Sequence, residues 1–187
     1  MEGSMVIDTS RHVFQHLYAR LLFTYIGKGI QSACLVDPKL AREVEELPIG
    51  TVISVILGPS GPAMVLQKSD LKKLVYLGNS FSKRFPAPGL PSTVIIRIRS
   101  FAEGMAILSC RESPTTALAR GRIFVEGSVS IACRFFRILN FSSIYLFSKK
   151  ISCKIMKRFE KNPFLFFRKP CILLLTIVLQ RGIVHGN

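Results

Sequence analysis

The sequence predicts an α+β fold, with a single mixed or antiparallel sheet of about five strands covered by helices. Three observations lead to the sheet and its helices. The 187 residues are 49% apolar and include fourteen phenylalanines and no tryptophan, so large side chains without polar atoms dominate the interior. Segments with helical spacing and segments with strand chemistry follow one another without the strict alternation of a doubly wound fold. The length suits one domain with extensions, because domains run to roughly 100–150 residues.

The elements follow in chain order. Val13, Phe14, Leu17, Tyr18, Leu21, Leu22, Tyr25 and Ile26 repeat at three-and-four spacing after Ser10, a reasonable N-cap. That pattern is an amphipathic helix, with Gly27 and Gly29 as its stop signals. Asp37-Pro38 reads as the cap and first residue of a short second helix. Thr51–Leu57 and Ala63–Gln67 are strands joined by the turn residues Gly58-Pro59-Ser60-Gly61-Pro62, which makes a hairpin. Leu74–Leu77 is a third strand, and the proline-rich stretch from Phe81 to Pro91 is a loop. In the strand Thr93–Arg99, Ile96 and Ile98 point to one face and Arg97 and Arg99 to the other.

Ser100 with Glu103 forms a capping box for a short helix through Leu108, and Ser113-Pro114 opens another. Arg122–Glu126 is a short strand bounded by Gly121 and Gly127. Ser128 caps the next helix, whose apolar stripe is Ile131, Phe135, Ile138 and Leu139. A separate basic helix is expected over Phe141–Lys161, ended by Asn162-Pro163. The resulting division is an N-terminal helical extension (1–48), a central domain (49–160) and a basic and apolar tail (161–187).

Charge rises along the chain. Residues 1–46 carry a formal −1, residues 47–120 carry +6 and residues 121–187 carry +10, for a net +15. Such a field favours an anionic partner. Lys149, Lys150, Lys154, Lys157, Arg158 and Lys161 form a cationic face suited to an anionic membrane surface, with Phe164, Phe166 and Phe167 close by to insert. Nucleic acid fits less well, because no RNA-binding signature, helix-turn-helix or zinc finger is present.

Little points to catalysis or to cofactors. The five cysteines include no CxxC pair, and His12, His16 and His185 have no zinc spacing. Glu103, Glu112 and Glu126 are isolated acids, and GPSGP lacks the lysine of a phosphate loop. The scattered, odd set of thiols and an N-terminus without an apolar signal read as a cytoplasmic protein, peripheral at membranes where the basic face engages them. Cys171–Leu179 is apolar, but its nine residues fall short of the roughly 20 that a span needs. That run is expected to be a buried element or a shallow membrane hook.

Three passages carry a family resemblance. They are Pro91–Ile98, Ser113–Gly121 and Arg122–Ser128 leading into a helix. The succession helix, Gly, short strand, Gly, helix resembles the sterol carrier protein 2 family over about 100 of the 187 residues. Family members often have Gly where Cys110 stands and Asp where Ser128 stands. The resemblance implies no reaction and no cofactor, only the binding of a fatty acyl chain, sterol or other hydrophobic molecule in an apolar tunnel. Apolar positions on the elements around such a tunnel are Phe101, Met105, Leu108, Leu118, Phe124, Ile131, Phe135 and Ile138. The alternative is an accessory or scaffold protein that holds a hydrophobic intermediate or a partner enzyme.

Overall fold

A computed structural model describes residues 3–59, 61–79, 93–108, 111–147 and 170–177, with side chains from Val13 onward. The elements are α1 (Gly3–Val36), α2 (Pro38–Glu45), β1 (Val52–Leu57), β2 (Ala63–Asp70), β3 (Lys73–Gly78), β4 (Thr93–Ile98), α3 (Phe101–Leu108), α4 (Pro114–Ala119), β5 (Ile123–Glu126) and α5 (Val129–Leu146). A further helical segment covers residues 170–177.

The five strands form one mixed sheet in the order β3-β2-β1-β4-β5. β1 and β4 pair in parallel, Val52 opposite Thr93 through Leu57 opposite Ile98, and the other neighbours are antiparallel. Side chains alternate between the sheet faces. Ile53, Val55 and Leu57 of β1 and Val94, Ile96 and Ile98 of β4 therefore join the main core under the helices. Val52, Ile56, Ala63, Val65 and Ile95 form a smaller cluster on the other face.

α1 runs 34 residues, about 50 Å at 1.5 Å per residue. It packs on β2, β3, α2 and α5. It does not stop at Gly27 or Gly29. Glycine costs about 1 kcal/mol in a helix interior, but here both residues face a neighbour at close range. A Cβ on Gly27 would stand 2.4 Å from Cδ2 of Tyr76, and one on Gly29 would stand 2.2 Å from Cδ2 of Leu146. The missing side chains let β3 and α5 approach the helix backbone, so these glycines serve packing rather than termination. Ser10 likewise sits inside the helix rather than at its cap.

The other caps are mixed. The Asp37 carboxylate accepts from the Lys39 amide at 2.9 Å, and the Ser113 hydroxyl accepts from the Thr116 amide at 3.2 Å. Ser128 stands at the N-cap of α5, but its side chain makes no capping bond. The expected break near Phe141 is absent, since α5 continues unbroken to Leu146. Its buried stripe persists through Ser142, Ser143 and Tyr145, so packing on the core carries the helix on. The remainder of the expected basic helix, the Phe81–Pro91 loop and the Asn162-Pro163 stop lie outside the described residues. In the segment at 170–177, Ile172 and Thr176 are buried, and the Thr176 hydroxyl lies 3.3 Å from that of Ser32 on α1.

Gly127 adopts φ +101°, and an added Cβ would stand 2.4 Å from the backbone oxygen of Thr93. Gly127→Ala should therefore cost about 2–3 kcal/mol. A drop in the urea midpoint at unchanged slope is the expected reading, and a wild-type midpoint would contradict this turn.

Cys34 is buried on α1. Burial first, and the negative charge of Asp37 second, push its thiol up to about 12 from 9.0. The folded chain keeps a proton that the unfolded chain releases, so this contribution to stability is full below about pH 9 and is lost toward pH 12. Urea unfolding at pH 8 and pH 10 should show a larger loss for the wild type than for Cys34→Ala. Equal losses would count against a buried neutral thiol.

Candidate apolar binding site

Two neighbouring chambers with five lining residues in common lie between α1, the sheet and helices α3, α4 and α5, an inner one against the sheet and an outer one toward the end of α5. The inner one has a volume of about 50 Å³ and is lined by apolar side chains alone. α1 contributes Phe23 and Ile26, the sheet contributes Val55, Met64, Ile96, Ile98 and Ile123, and α5 contributes Phe135, Phe136 and Leu139. The outer chamber, about 60 Å³, shares Ile26, Ile107, Leu108, Pro114 and Leu139 with the inner one and adds Asn140, Ser143 and Phe147. Residues 135, 136, 139, 140 and 143 recur at helical spacing, so a single face of α5 walls both chambers.

The apolar lining begins in the strands. On β1 and β4 the inward positions are Val, Ile or Leu, and no polar residue interrupts them. The helix cations nearby are turned outward to carboxylates. Arg134 pairs with Glu46, Arg137 lies 3.7 Å from Glu43, and Arg120 and Arg122 reach the two oxygens of Glu112 at 2.9 and 2.7 Å. No titratable group lines either chamber among the described residues. Nor do those residues contain three metal-ligating side chains in one place.

The polar interactions lie to one side. Tyr145 donates to the Asp37 carboxylate in the interior, tying α5 to the start of α2. Lys68 of β2 is buried and donates to the carbonyls of Glu45, at 2.8 Å, and Leu47. Burial lowers its pKa, and Glu45 and Asp70 oppose that shift. Tyr25 donates to the Leu146 carbonyl at 2.7 Å, and burial raises its pKa.

Of the eight apolar positions named from the sequence, Leu108 and Phe135 line the chambers. Ile131 and Ile138 are buried in the core away from them, and Phe101 and Met105 pack at the core's edge. Phe101 stacks on His16 of α1 at 4.8 Å between ring centres. Leu118 is 37% exposed and Phe124 is 52% exposed. The strand period explains Phe124. Ile123 takes the inward position, and Phe124 lies opposite Arg97 on the outer face. On α4 the buried positions are Pro114 and Ala117, which turns Leu118 outward. Lys149, Lys150, Lys154, Lys157, Arg158 and Lys161 lie outside the described residues.

The lining residues missed in sequence were partly signalled. Val55 and Ile96 follow from two-residue alternation. Ser143 and Phe147 follow only from a helix that runs on past Phe141, and Asn140 is a polar residue that a search for apolar positions passes over. α5 is also the one helix among the described residues that is long and apolar enough to cross a membrane, and half of it is buried in this fold.

Leu108 walls both chambers, so Leu108→Ala should enlarge the void beside it. The expected cost is about 2–4 kcal/mol by urea unfolding. A loss below about 1 kcal/mol would mean that the walls collapse and no stable void exists.

No protein-family model matches the sequence. No curated protein matches it either. Several solved structures share its arrangement of strands and helices. A structure titled "UbiJ-SCP2 Ubiquinone synthesis protein" is 15% identical with a TM-score of 0.47, covering 67% of this chain and 98% of its own. Apo sterol carrier protein 2 from Yarrowia lipolytica is 14% identical with a TM-score of 0.43, covering 64% and 88%. Palmitated SCP2L2 from Aedes aegypti is 19% identical with a TM-score of 0.41, covering 62% and 91%. At such identities and scores the similarity is one of fold and says nothing of what this chain binds. The described residues form an α+β fold with one mixed five-stranded sheet, similar to the sterol carrier protein 2 structures.

Proposed function

We propose that this protein binds one hydrocarbon-bearing molecule in the neighbouring chambers, without reacting with it, and presents it at a membrane surface. The observation that carries this reading is the uninterrupted apolar lining between sheet and helices. Such a site holds an acyl chain or a fused-ring skeleton by burial alone, at about 0.8 kcal/mol per CH₂.

Each chamber is well below the roughly 150 Å³ of an apolar cavity that admits benzene. Loading therefore requires the walls to move. The short helices α3 and α4 wall one side of the chambers through Ile107, Leu108 and Pro114, and the proposed movement is theirs. Six buried CH₂ groups contribute about 5 kcal/mol toward it. Met64 adds adaptable volume through its flexible thioether.

Two features support the membrane part. The net charge of +15 favours anionic headgroups. On α1, Val13, Phe14, Leu17, Tyr18 and Leu21 form a stripe of exposed apolar side chains, the kind of face that lies in the headgroup boundary.

Native mass spectrometry of freshly purified protein should show co-purifying lipid, and a fluorescent acyl probe should bind and be displaced by long-chain amphiphiles. Ile107 is half-buried and lines both chambers, so Ile107→Trp should fill space in both and weaken probe binding about tenfold or more. Flotation with anionic vesicles should exceed that with neutral ones and decline with salt. Wild-type protein that ignores the probe and instead co-purifies with a stable protein partner would favour the scaffold reading.

A further inference from the structure

β5 is an end strand of the sheet, and one side of it is open. The Arg99 amide donates to the Arg122 carbonyl at 2.9 Å, and the register sets Arg97 opposite Phe124 and Ile95 opposite Glu126. Bonded pairs recur at every second residue of an antiparallel ladder. The backbone groups of Phe124 and Glu126 are therefore turned to β4, and those of Ile123 and Val125 point away from it. Among the described residues none pairs with them. The strand is also uncovered, since Phe124 is 52% exposed, Glu126 is exposed and Val125 is half-buried.

Edge strands are commonly blunted by lysine, proline or a bulge. Ile123–Glu126 has none of these, and it is complementary to itself. An antiparallel strand of the same sequence, centred on Phe124, sets Ile123 opposite Val125 of the other copy. Each such pair can exchange both of its backbone bonds. Phe124 then meets Phe124 at the two-fold axis as a non-bonded pair, the position at which side chains stand closer and aromatic pairs stabilise a sheet. Glu126 comes opposite Arg122 of the other copy. Both are already in ion pairs within their own chain, with Arg97 and Glu112, so their part is to keep like charges from facing each other.

We infer that β5 is a self-association edge, which joins the sheets of two copies of this chain about a two-fold axis at Phe124. Side chains of both β5 strands alternate in step across that axis, so the helix layers lie on the same side of the joined sheet. The contact is short and the dimer correspondingly weak. This goes beyond the binding reading above and does not depend on it.

Sedimentation of the full chain at concentrations up to about 1 mM should show a monomer–dimer equilibrium. Phe124→Lys should keep the wild-type urea midpoint, because the side chain is half exposed, and should raise the dimer dissociation constant about tenfold or more by placing two cations at the axis. In Phe124→Cys, mild oxidation should link position 124 of one copy to position 124 of the other, because the Cα atoms of such a pair lie about 4.5 Å apart. A monomer throughout that range, or a dimer that Phe124→Lys leaves intact, would overturn the assignment. Oxidised Phe124→Cys protein linked only through the exposed native Cys133 or Cys171 would overturn it as well.

Discussion

The close approach of α1 and α5 at Gly29 sets the geometry of everything around the chambers. Leu146 packs into the space that a side chain on Gly29 would fill, and Tyr25 donates to the Leu146 carbonyl one helical turn earlier on α1. The two helices are thereby pinned at the C-terminal end of α5. Phe23 and Ile26 of α1 line the inner chamber together with Phe135, Phe136 and Leu139 of α5. Two mid-helix glycines carry an intrinsic penalty of about 1 kcal/mol each, which the tight packing on Leu146 and Tyr76 offsets.

Buried polar contacts gather around α2. Asp37 caps α2 and accepts from Tyr145, and Lys68 holds the carbonyls at the other end of α2. Together they fasten α2 to both α5 and the sheet. A buried lysine is costly unless its donors are used, and two carbonyl partners at a helix C-terminus are a favourable place for its charge. The α3–α4 side has an ionic cluster of its own. Glu112, nearly buried, joins Arg120 and Arg122, and Arg122 also lies 3.8 Å from Glu103 of α3. The architecture thus places a polar clamp on each side of the apolar layer.

The sheet was readable from the sequence, because alternation and turn chemistry act over a few residues. Ile96, Ile98 and Arg97 fell on the faces that a two-residue period assigns, and the Gly121 and Gly127 boundaries of β5 have positive φ as a sharp turn requires. The helices were less readable. Gly27 and Gly29 carry a local stop signal, and nothing nearby in sequence announces that Tyr76 and Leu146 will need their space. The continuity of α5 past Phe141 is likewise decided by tertiary burial of Ser142, Ser143 and Tyr145. For the site, the family resemblance pointed to the layer between sheet and helices, and the two chambers lie in that layer. It did not resolve faces, which is why Phe124 and Leu118 turned outward while Phe23, Ile26 and Asn140 went unnoticed. A cavity is defined by side chains from elements far apart in the chain, and periodicity within one element cannot report on what stands across from it.

The small size of the chambers bears on how the proposed site would operate. A permanently open tunnel would expose about a dozen large apolar side chains to water or vacuum, at a cost that rises by roughly 24 cal/mol per Å³ of void. At a total near 100 Å³ that cost is about 2–3 kcal/mol, a sizeable share of a domain's stability of about 5–15 kcal/mol. A void large enough for a whole acyl chain would absorb most of the remainder. Walls that rest nearly closed and part as hydrocarbon enters avoid this, because ligand replaces the lost contacts as the space grows. For the binding proposed above, entry of hydrocarbon then requires a wall of the chambers to move, and the packing of Leu146 on Gly29 makes the α1–α5 contact the less yielding one.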